Sequence, residues 1–257
     1  MASIVRRPVV SCIAVFTVLA AWFVVGEKAL IDPLLLPGPR EVLETSRELI
    51  VDGYRQVPLW QHILVSLARA MAAFIAATIT GIPLGLMMGR SSTLNAIFDP
   101  FVQFLRPLPK LALIPLVIVW FGIGEFSKFV LIYLSTFLTI VVSASAAVQS
   151  VPEDRIKAAQ SLGITRIQLF RHVILPSALP ELFTGVRVAV GIGWTTLIAA
   201  EMIASSAGLG WMVINASSYL RTDVVLLGIL LLGGVGYLLD LGLVTAQRKM
   251  VHWAGRG

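Results

Sequence analysis

Apolar runs long enough to cross a bilayer recur along this chain, and they leave little room for any other architecture. A spanning helix needs about 20 mainly apolar residues, within a range of about 17 to 25. Residues 9–25 (VVSCIAVFTVLAAWFVV), 63–88, 127–149, 181–204 and 224–246 meet that requirement, and residues 94–121 approach it. Over 257 residues the hydrophobic fraction is 57%, the charged fraction 13% and the mean hydropathy +0.89. Soluble domains carry roughly a quarter charged residues, so the apolar excess here has to face lipid. The expectation is an all-α integral membrane protein with six transmembrane helices.

The first run follows Arg6 and Arg7 and passes through Leu19-Ala20-Ala21, which also fits a cleaved secretory signal. Its continuation through Trp22, Phe23 and Val25 makes it longer than a usual signal core and favours an uncleaved helix. Residues 27–61 carry Pro33, Pro37, Pro39 and Pro58 and read as an exposed segment. Within it, residues 40–52 (REVLETSRELIVD) set Val42, Leu43, Leu49 and Ile50 at helical spacing, the pattern of a short amphipathic helix on the membrane surface. Across residues 94–121, Pro100, Pro107, Pro109 and Pro115 are incompatible with one straight helix. The expectation there is an interfacial helix over 94–106, then a kinked third span through LALIPLVIVWF.

The net charge of +6 has to be read from where the bases lie. They flank the apolar runs in ones and twos and form no basic stripe with interleaved aromatics, so nucleic acid is not an expected partner. With the N-terminus inside, the inner segments hold ten bases: Arg6, Arg7, Arg90, Arg155, Lys157, Arg166, Arg171, Arg248, Lys249 and Arg256. The outer segments hold six: Lys28, Arg40, Arg47, Arg55, Lys128 and Arg221. That excess places both termini in the cytoplasm. Cys12 has no partner cysteine, and His62, His172 and His252 are too dispersed for a metal site.

The most polar stretch of the second half, residues 151–179, contains EDRIKAAQSLG followed by ITRIQLFRHVILP. Pro152 fits a first helical position, Glu153 and Asp154 suit the positive end of the helix dipole, and Gly163 ends the helix. A second short helix is expected from Thr165 to His172, ending before Pro176. The small side chains of Ala158 and Ala159 permit another protein to approach this backbone closely. From the residues alone, the segment is either a docking element or an ordinary polar loop.

The segment resembles the EAA motif in the membrane subunits of ATP-binding-cassette importers. Ala158, Ala159, Gly163, Leu175 and Pro176 fall at the motif's spacing, Val173 replaces its Ile, and Lys157 stands where the motif has Glu. Residues 59–74, 81–91, 98–133, 155–163, 193–213 and 222–229 extend the resemblance to the taurine, sulfonate and nitrate class of these permeases, most of all to its taurine members. The resemblance implies a type I importer permease fold in the bacterial inner membrane. It further implies a second copy of the chain, a partner ATPase dimer that holds ATP and Mg, and a periplasmic substrate-binding protein. No cofactor is expected on this chain, which has no G-x-x-x-x-G-K-[ST] phosphate cradle. Glu153, Asp154, Lys157, Ala158, Ala159, Gly163, Leu175 and Pro176 are then the residues expected to couple to the ATPase, through helices over 153–172. Residues 1–62 form a transmembrane helix plus a periplasmic amphipathic segment, residues 63–250 the permease core, and residues 251–257 a cytoplasmic tail. The implied cargo is taurine or a related sulfonate, with nitrate or another small organic anion as the alternative. A stand-alone channel or secondary carrier has no need of the motif, and an intramembrane enzyme lacks support, since neither H-E-x-x-H nor G-x-S-x-G occurs.

Four ionisable residues, Arg69, Arg187, Glu201 and Asp240, fall inside apparent spans. Each costs about 2.5–3.5 kcal/mol at the bilayer centre unless it is paired or wetted, so ion pairs inside the bundle are expected. Glu201 lies toward the outer end of the fifth span, after Trp194, Thr195 and Thr196. These four are candidates for the substrate pathway or gate, because a carboxylate attracts the ammonium of an amino-sulfonate. Gly81, Gly85 and Gly89, and Gly191 with Gly193, permit close helix approach. Residues 205–211 read as an outer re-entrant turn or short helix.

Overall fold

A computed structural model describes residues 2–28 and 30–253 of the chain. Arg256, counted among the inner bases, and the end of the tail lie outside the described residues. In chain order the helices are α1 (Ala2–Glu27), α2 (Pro39–Val51), α3 (Leu59–Arg90), α4 (Ser92–Leu105), a 3-10 turn (Lys110–Leu113), α5 (Ile114–Phe121) and α6 (Glu125–Gln149). They continue with α7 (Glu153–Ser161), α8 (Arg166–Leu169), a π turn (Phe170–Ile174), α9 (Leu175–Ala204), α10 (Leu209–Ser218) and α11 (Thr222–Met250). Five of the described helices are long and apolar enough to cross a membrane, and a bent pair brings the number to six.

The centre of the bundle is α6, packed between α3 and α9. Gly81, Gly85 and Gly89 recur every fourth residue of α3, on the face toward α6. A Cβ on Gly85 would lie 2.5 Å from the Val141 carbonyl oxygen, and one on Gly89 2.7 Å from that of Ser145. The absence of side chains therefore lets the two backbones touch, as expected for a small-residue stripe. Gly193 leaves room instead for the side chains of Thr136 and Phe74, whereas Gly191 faces open space. Between α9 and α11, Arg187 grips Asp240 through two parallel hydrogen bonds of 2.8 Å, the structural pair expected of two intramembrane charges.

The amphipathic segment forms α2, but its apolar residues divide between two faces. Val42, Thr45 and Leu49 pack inward, where Thr45 Oγ1 donates to Asp223 of α11 at 2.8 Å, while Leu43 and Ile50 stay exposed. A spacing of three and four residues selects the first group, and Leu43 and Ile50 sit one position further around the helix. Over residues 10–27 α1 is mostly exposed, and Trp22 Nε1 ties it to the stretch leading into α2 by donating to the Pro37 carbonyl at 3.1 Å.

Two expectations about proline need correction. The span expected through LALIPLVIVWF is too short to cross alone, because Lys110–Phe121 rises only about 18 Å against a hydrocarbon core of about 30 Å. Only together with α4, to which it is bent by 86°, is it long and apolar enough to count as one span. Pro107 and Pro109 occupy the break, where neither can supply a ladder N–H. The helix expected to stop before Pro176 instead runs on, and Arg166 to Ala204 form one apolar helical stretch. Its start is capped reciprocally by Thr165 and Gln168. The π turn immediately precedes Pro176, and its wider ring takes up the perturbation of the missing N–H and the bulky pyrrolidine.

Placing a side chain in the α3–α6 seam should force the helices apart. Gly85→Leu is expected to destabilise the detergent-purified chain by about 1–3 kcal/mol, read as a lower thermal unfolding midpoint. Gly191→Ala, facing open space, is expected to leave the midpoint unchanged.

Candidate functional site

Two polar constructions stand out, one at each end of the bundle. At one end, Glu153 and Asp154 open α7 and Lys157 Nζ lies 2.8 Å from Glu153 Oε2. This i, i+4 pair neutralises the base within its own helix and accounts for the reversed charge at this position. Gly163 adopts φ +74°, the left-handed conformation that ends a helix, and its N–H reaches the Gln160 carbonyl at 2.9 Å. The underside of α7 is anchored, because Ile156, Ala159 and Ile164 pack against Leu169, Ile174 and Ala178. The outer side is bare: Ala158 is exposed, as are Leu162 (81%) and Ile167 (78%). Leu175 and Pro176 lie half-buried at the start of α9 and join this segment to the fifth span.

At the other end sits a carboxylate with every oxygen engaged. Glu201 is fully buried; it accepts from Ser66 Oγ at 2.8 Å, from Arg69 Nη1 at 2.8 Å and from the Gly210 N–H at 2.9 Å. Arg69 also makes a bidentate contact with Glu125, at 2.5 and 2.6 Å, and donates to the Ala207 carbonyl at 2.7 Å. Lys128 Nζ lies 2.9 Å from Glu125. The node thus holds two acids and two bases and carries no net charge.

The node caps α10. The first N–H groups of a helix have no partner within it. Here Gly208 N donates to His62 Nδ1 at 3.1 Å, Leu209 N to Ser66 Oγ at 2.8 Å, and Gly210 N to Glu201. Since Nδ1 of His62 accepts, its proton sits on Nε2, which faces the Tyr54 carbonyl. Gly208 has φ +122°, and a Cβ there would lie about 2.5 Å from the Glu201 carboxylate. The expected outer turn at 205–211 is therefore a turn feeding a short helix, pinned to α3 and α9. Next to it, the phenol of Tyr54 donates to Asn215 at 2.9 Å, and burial pushes its pKa up. Arg55, without an acid partner among the described residues, stacks 4.3 Å over Tyr219.

The four candidate pathway residues do not form one cluster. Trp194 is buried and donates to the Leu232 carbonyl of α11 at 3.2 Å, and Thr196 is buried with its hydroxyl on the Ile192 carbonyl. Glu201 belongs to the node, and Thr195 alone among them is exposed. Sequence reasoning missed Ser66 as a partner of Glu201, Glu125 as the second acid on Arg69, and His62 as the acceptor for the Gly208 N–H. Only Glu125 carried a signal, an acid at a span boundary facing the flagged Arg69.

Comparison with known proteins follows the same lines. Residues 81–252 match the family described as binding-protein-dependent transport system inner membrane component. The chain is 47% identical over 251 residues to the taurine transport system permease protein TauC of Escherichia coli, covering 97% of this chain and 91% of that protein. It is 37% identical over 236 residues to a putative aliphatic sulfonates transport permease of the same organism, covering 92% and 88%. Its fold matches a chain of the MetNI methionine ABC transporter in an inward-facing conformation, with a TM-score of 0.60 over 76% of this chain and 94% of that one at 22% identity.

Removing the carboxylate should free the turn it caps. Glu201→Leu is expected to destabilise the fold by about 3–5 kcal/mol, whereas Glu201→Gln retains an acceptor for Ser66 and Gly210 and should lose less. Thermal unfolding of both variants, with proteolysis at the 205–211 turn as the local readout, checks the order.

Proposed function

Since the chain belongs to the family of binding-protein-dependent transport system inner membrane components, we propose that it is the membrane-spanning permease subunit of an ATP-driven importer for taurine or a related sulfonate. The observation that carries this reading is the identity of 47% to a taurine permease across nearly the whole chain, motif segment included. The relatives are permease subunits, so ATP and Mg are assigned to a partner ATPase dimer and two copies of this chain form the membrane part.

In this reading the exposed face of Ala158, Leu162 and Ile167 seats on the ATPase, and Glu153, Asp154 and Lys157 rim it. Gly163 lets the chain reverse between α7 and α8, while Ala159 fixes α7 to the bundle. Closure of the ATPase dimer displaces this segment, and Leu175 and Pro176 carry the displacement into α9. The spans then alternate between inward and outward openings. Both termini lie in the cytoplasm, in keeping with the excess of inner bases. A substrate-binding protein docks on the outer side, where Arg55, stacked on Tyr219, presents a cation beside an aromatic ring.

Glu201 serves the gate through structure: with Ser66, Arg69 and Gly210 on its oxygens it has no free valence for a substrate ammonium, and it holds the outer turn in place. Of the residues once grouped as a pathway, Thr195 is the one positioned to meet cargo, and Trp194 and Thr196 hold helices together.

Uptake of labelled taurine into proteoliposomes containing the chain, its ATPase and its binding protein tests the assignment. ATP-dependent uptake competed by aliphatic sulfonates is expected; competition by nitrate alone would overturn the cargo. Ala158→Arg alters an exposed methyl and should leave folding intact while abolishing co-purification with the ATPase. Retained co-purification and uptake would remove the docking role of this face.

A further inference from the structure

The stretch of α9 just beyond the coupling segment is mechanically soft. Pro176 and Pro180 each delete a helical N–H within two turns, and the π turn Phe170–Ile174 precedes them. Pro180 has a specific consequence: the Pro176 carbonyl, four residues earlier, loses its ladder donor. That carbonyl does not go unmet. Trp253 Nε1 donates to it at 3.2 Å, reaching back from beyond the end of α11. One turn further along, Gln247 Nε2 of α11 donates to the Pro180 carbonyl at 3.3 Å. The tail is held for this reach, because Val251 is buried and its N–H rests on the Gln247 carbonyl at 2.8 Å.

The same short stretch is contacted from the other side. Arg155 of α7 donates to Ser177 Oγ at 3.0 Å, and Ser150, at the end of α6, donates to Glu181. Residues 176–181 are therefore a junction between the coupling helix and the inner end of α11.

We propose that Trp253, assisted by Gln247, is a positioning residue of the transport cycle: its indole N–H takes the carbonyl that Pro180 leaves without a donor, and this latches α11 to the part of α9 that the coupling segment drives. Without the latch, α9 and α11 stay joined further along by Arg187–Asp240 and Trp194–Leu232, but the end of α9 beside the coupling segment can move without the end of α11. The inference rests on the permease reading and adds a role for residues outside its motif. A tryptophan at this depth also suits the membrane interface as a simple anchor, and the test separates the two roles.

The experiment is a double-mutant cycle on the full complex in proteoliposomes, measuring substrate imported per ATP hydrolysed. Trp253→Phe keeps an aromatic ring and removes the donor; it is expected to lower this ratio about threefold or more, with ATPase activity maintained. Pro180→Ala restores the helical N–H to the Pro176 carbonyl, so Trp253→Phe should cost little further in that background. An unchanged ratio for Trp253→Phe overturns the proposal, as does an equal loss in both backgrounds, which is the signature of an anchor. If Trp253→Phe fails to accumulate, Gln247→Leu tests the other N–H of the seam. A lowered ratio supports the latch and an unchanged one overturns it. Failure of the permease reading looks different, since the wild-type complex would then show no ATP-dependent uptake at all.

Discussion

In a hydrocarbon core no water is available to satisfy a backbone N–H or carbonyl, so each break in a helical ladder must find a partner within the protein. Much of the polar chemistry described above answers that demand. The N-terminal donors of α10 are taken by His62, Ser66 and Glu201, side chains of α3 and α9. The carbonyl freed by Pro180 is taken by Trp253. Where α3 and α6 meet, glycines close the seam, although Pro83 within α3 leaves the Ile79 carbonyl without its ladder donor. The side chains that cap α10 and meet the Pro176 carbonyl gather where the backbone is irregular, whereas Arg187 and Asp240 pair between regular helical stretches.

The charges follow the same economy. Arg187 with Asp240, and Arg69 with Glu125 and Glu201, leave no unpaired ion among these intramembrane residues. The Arg69 node is shared between three helices and the outer turn, so disturbing any one of them disturbs the others. On α7 the exposed pair Glu153–Lys157 closes within one turn and carries little energy, while Arg155 reaches across to Ser177.

The spans were legible because twenty apolar residues in a row have few alternatives in water. The helix at 153–161 was legible from Glu153, Asp154 and Gly163, and Arg187 and Asp240 each stood out as charges stranded in apolar surroundings, though only the structure joins them to one another. Other features depended on contacts that no local pattern encodes. Glu201 stood out in the sequence, but its partner Ser66 lies 135 residues away and looks like any small helical residue. The bend between α4 and α5 was signalled by four prolines, though its size depends on packing. Pro176 was read as a helix stop because proline usually is one, and the π turn that lets the helix continue leaves no mark in composition. Trp253 gave no hint of its acceptor, since that acceptor exists only because Pro180 lacks a hydrogen.

The glycine contacts between α3 and α6 advance in the same direction along both helices, Gly81 with Ile140, Gly85 with Val141 and Gly89 with Ser145, so the two run parallel in fixed register. Backbones in direct contact have no side chains between them to rearrange, and sliding one past the other would drive carbonyls into Cα atoms. The pair behaves as a beam. α3 carries one interruption of its own, Pro83 within the glycine stripe, whereas α9 beside it carries a π turn and two prolines and is the more easily bent of the two. The division of labour between a wall that cannot shear and a neighbour that can bend is set by three missing methyl groups on one side and two missing hydrogens on the other.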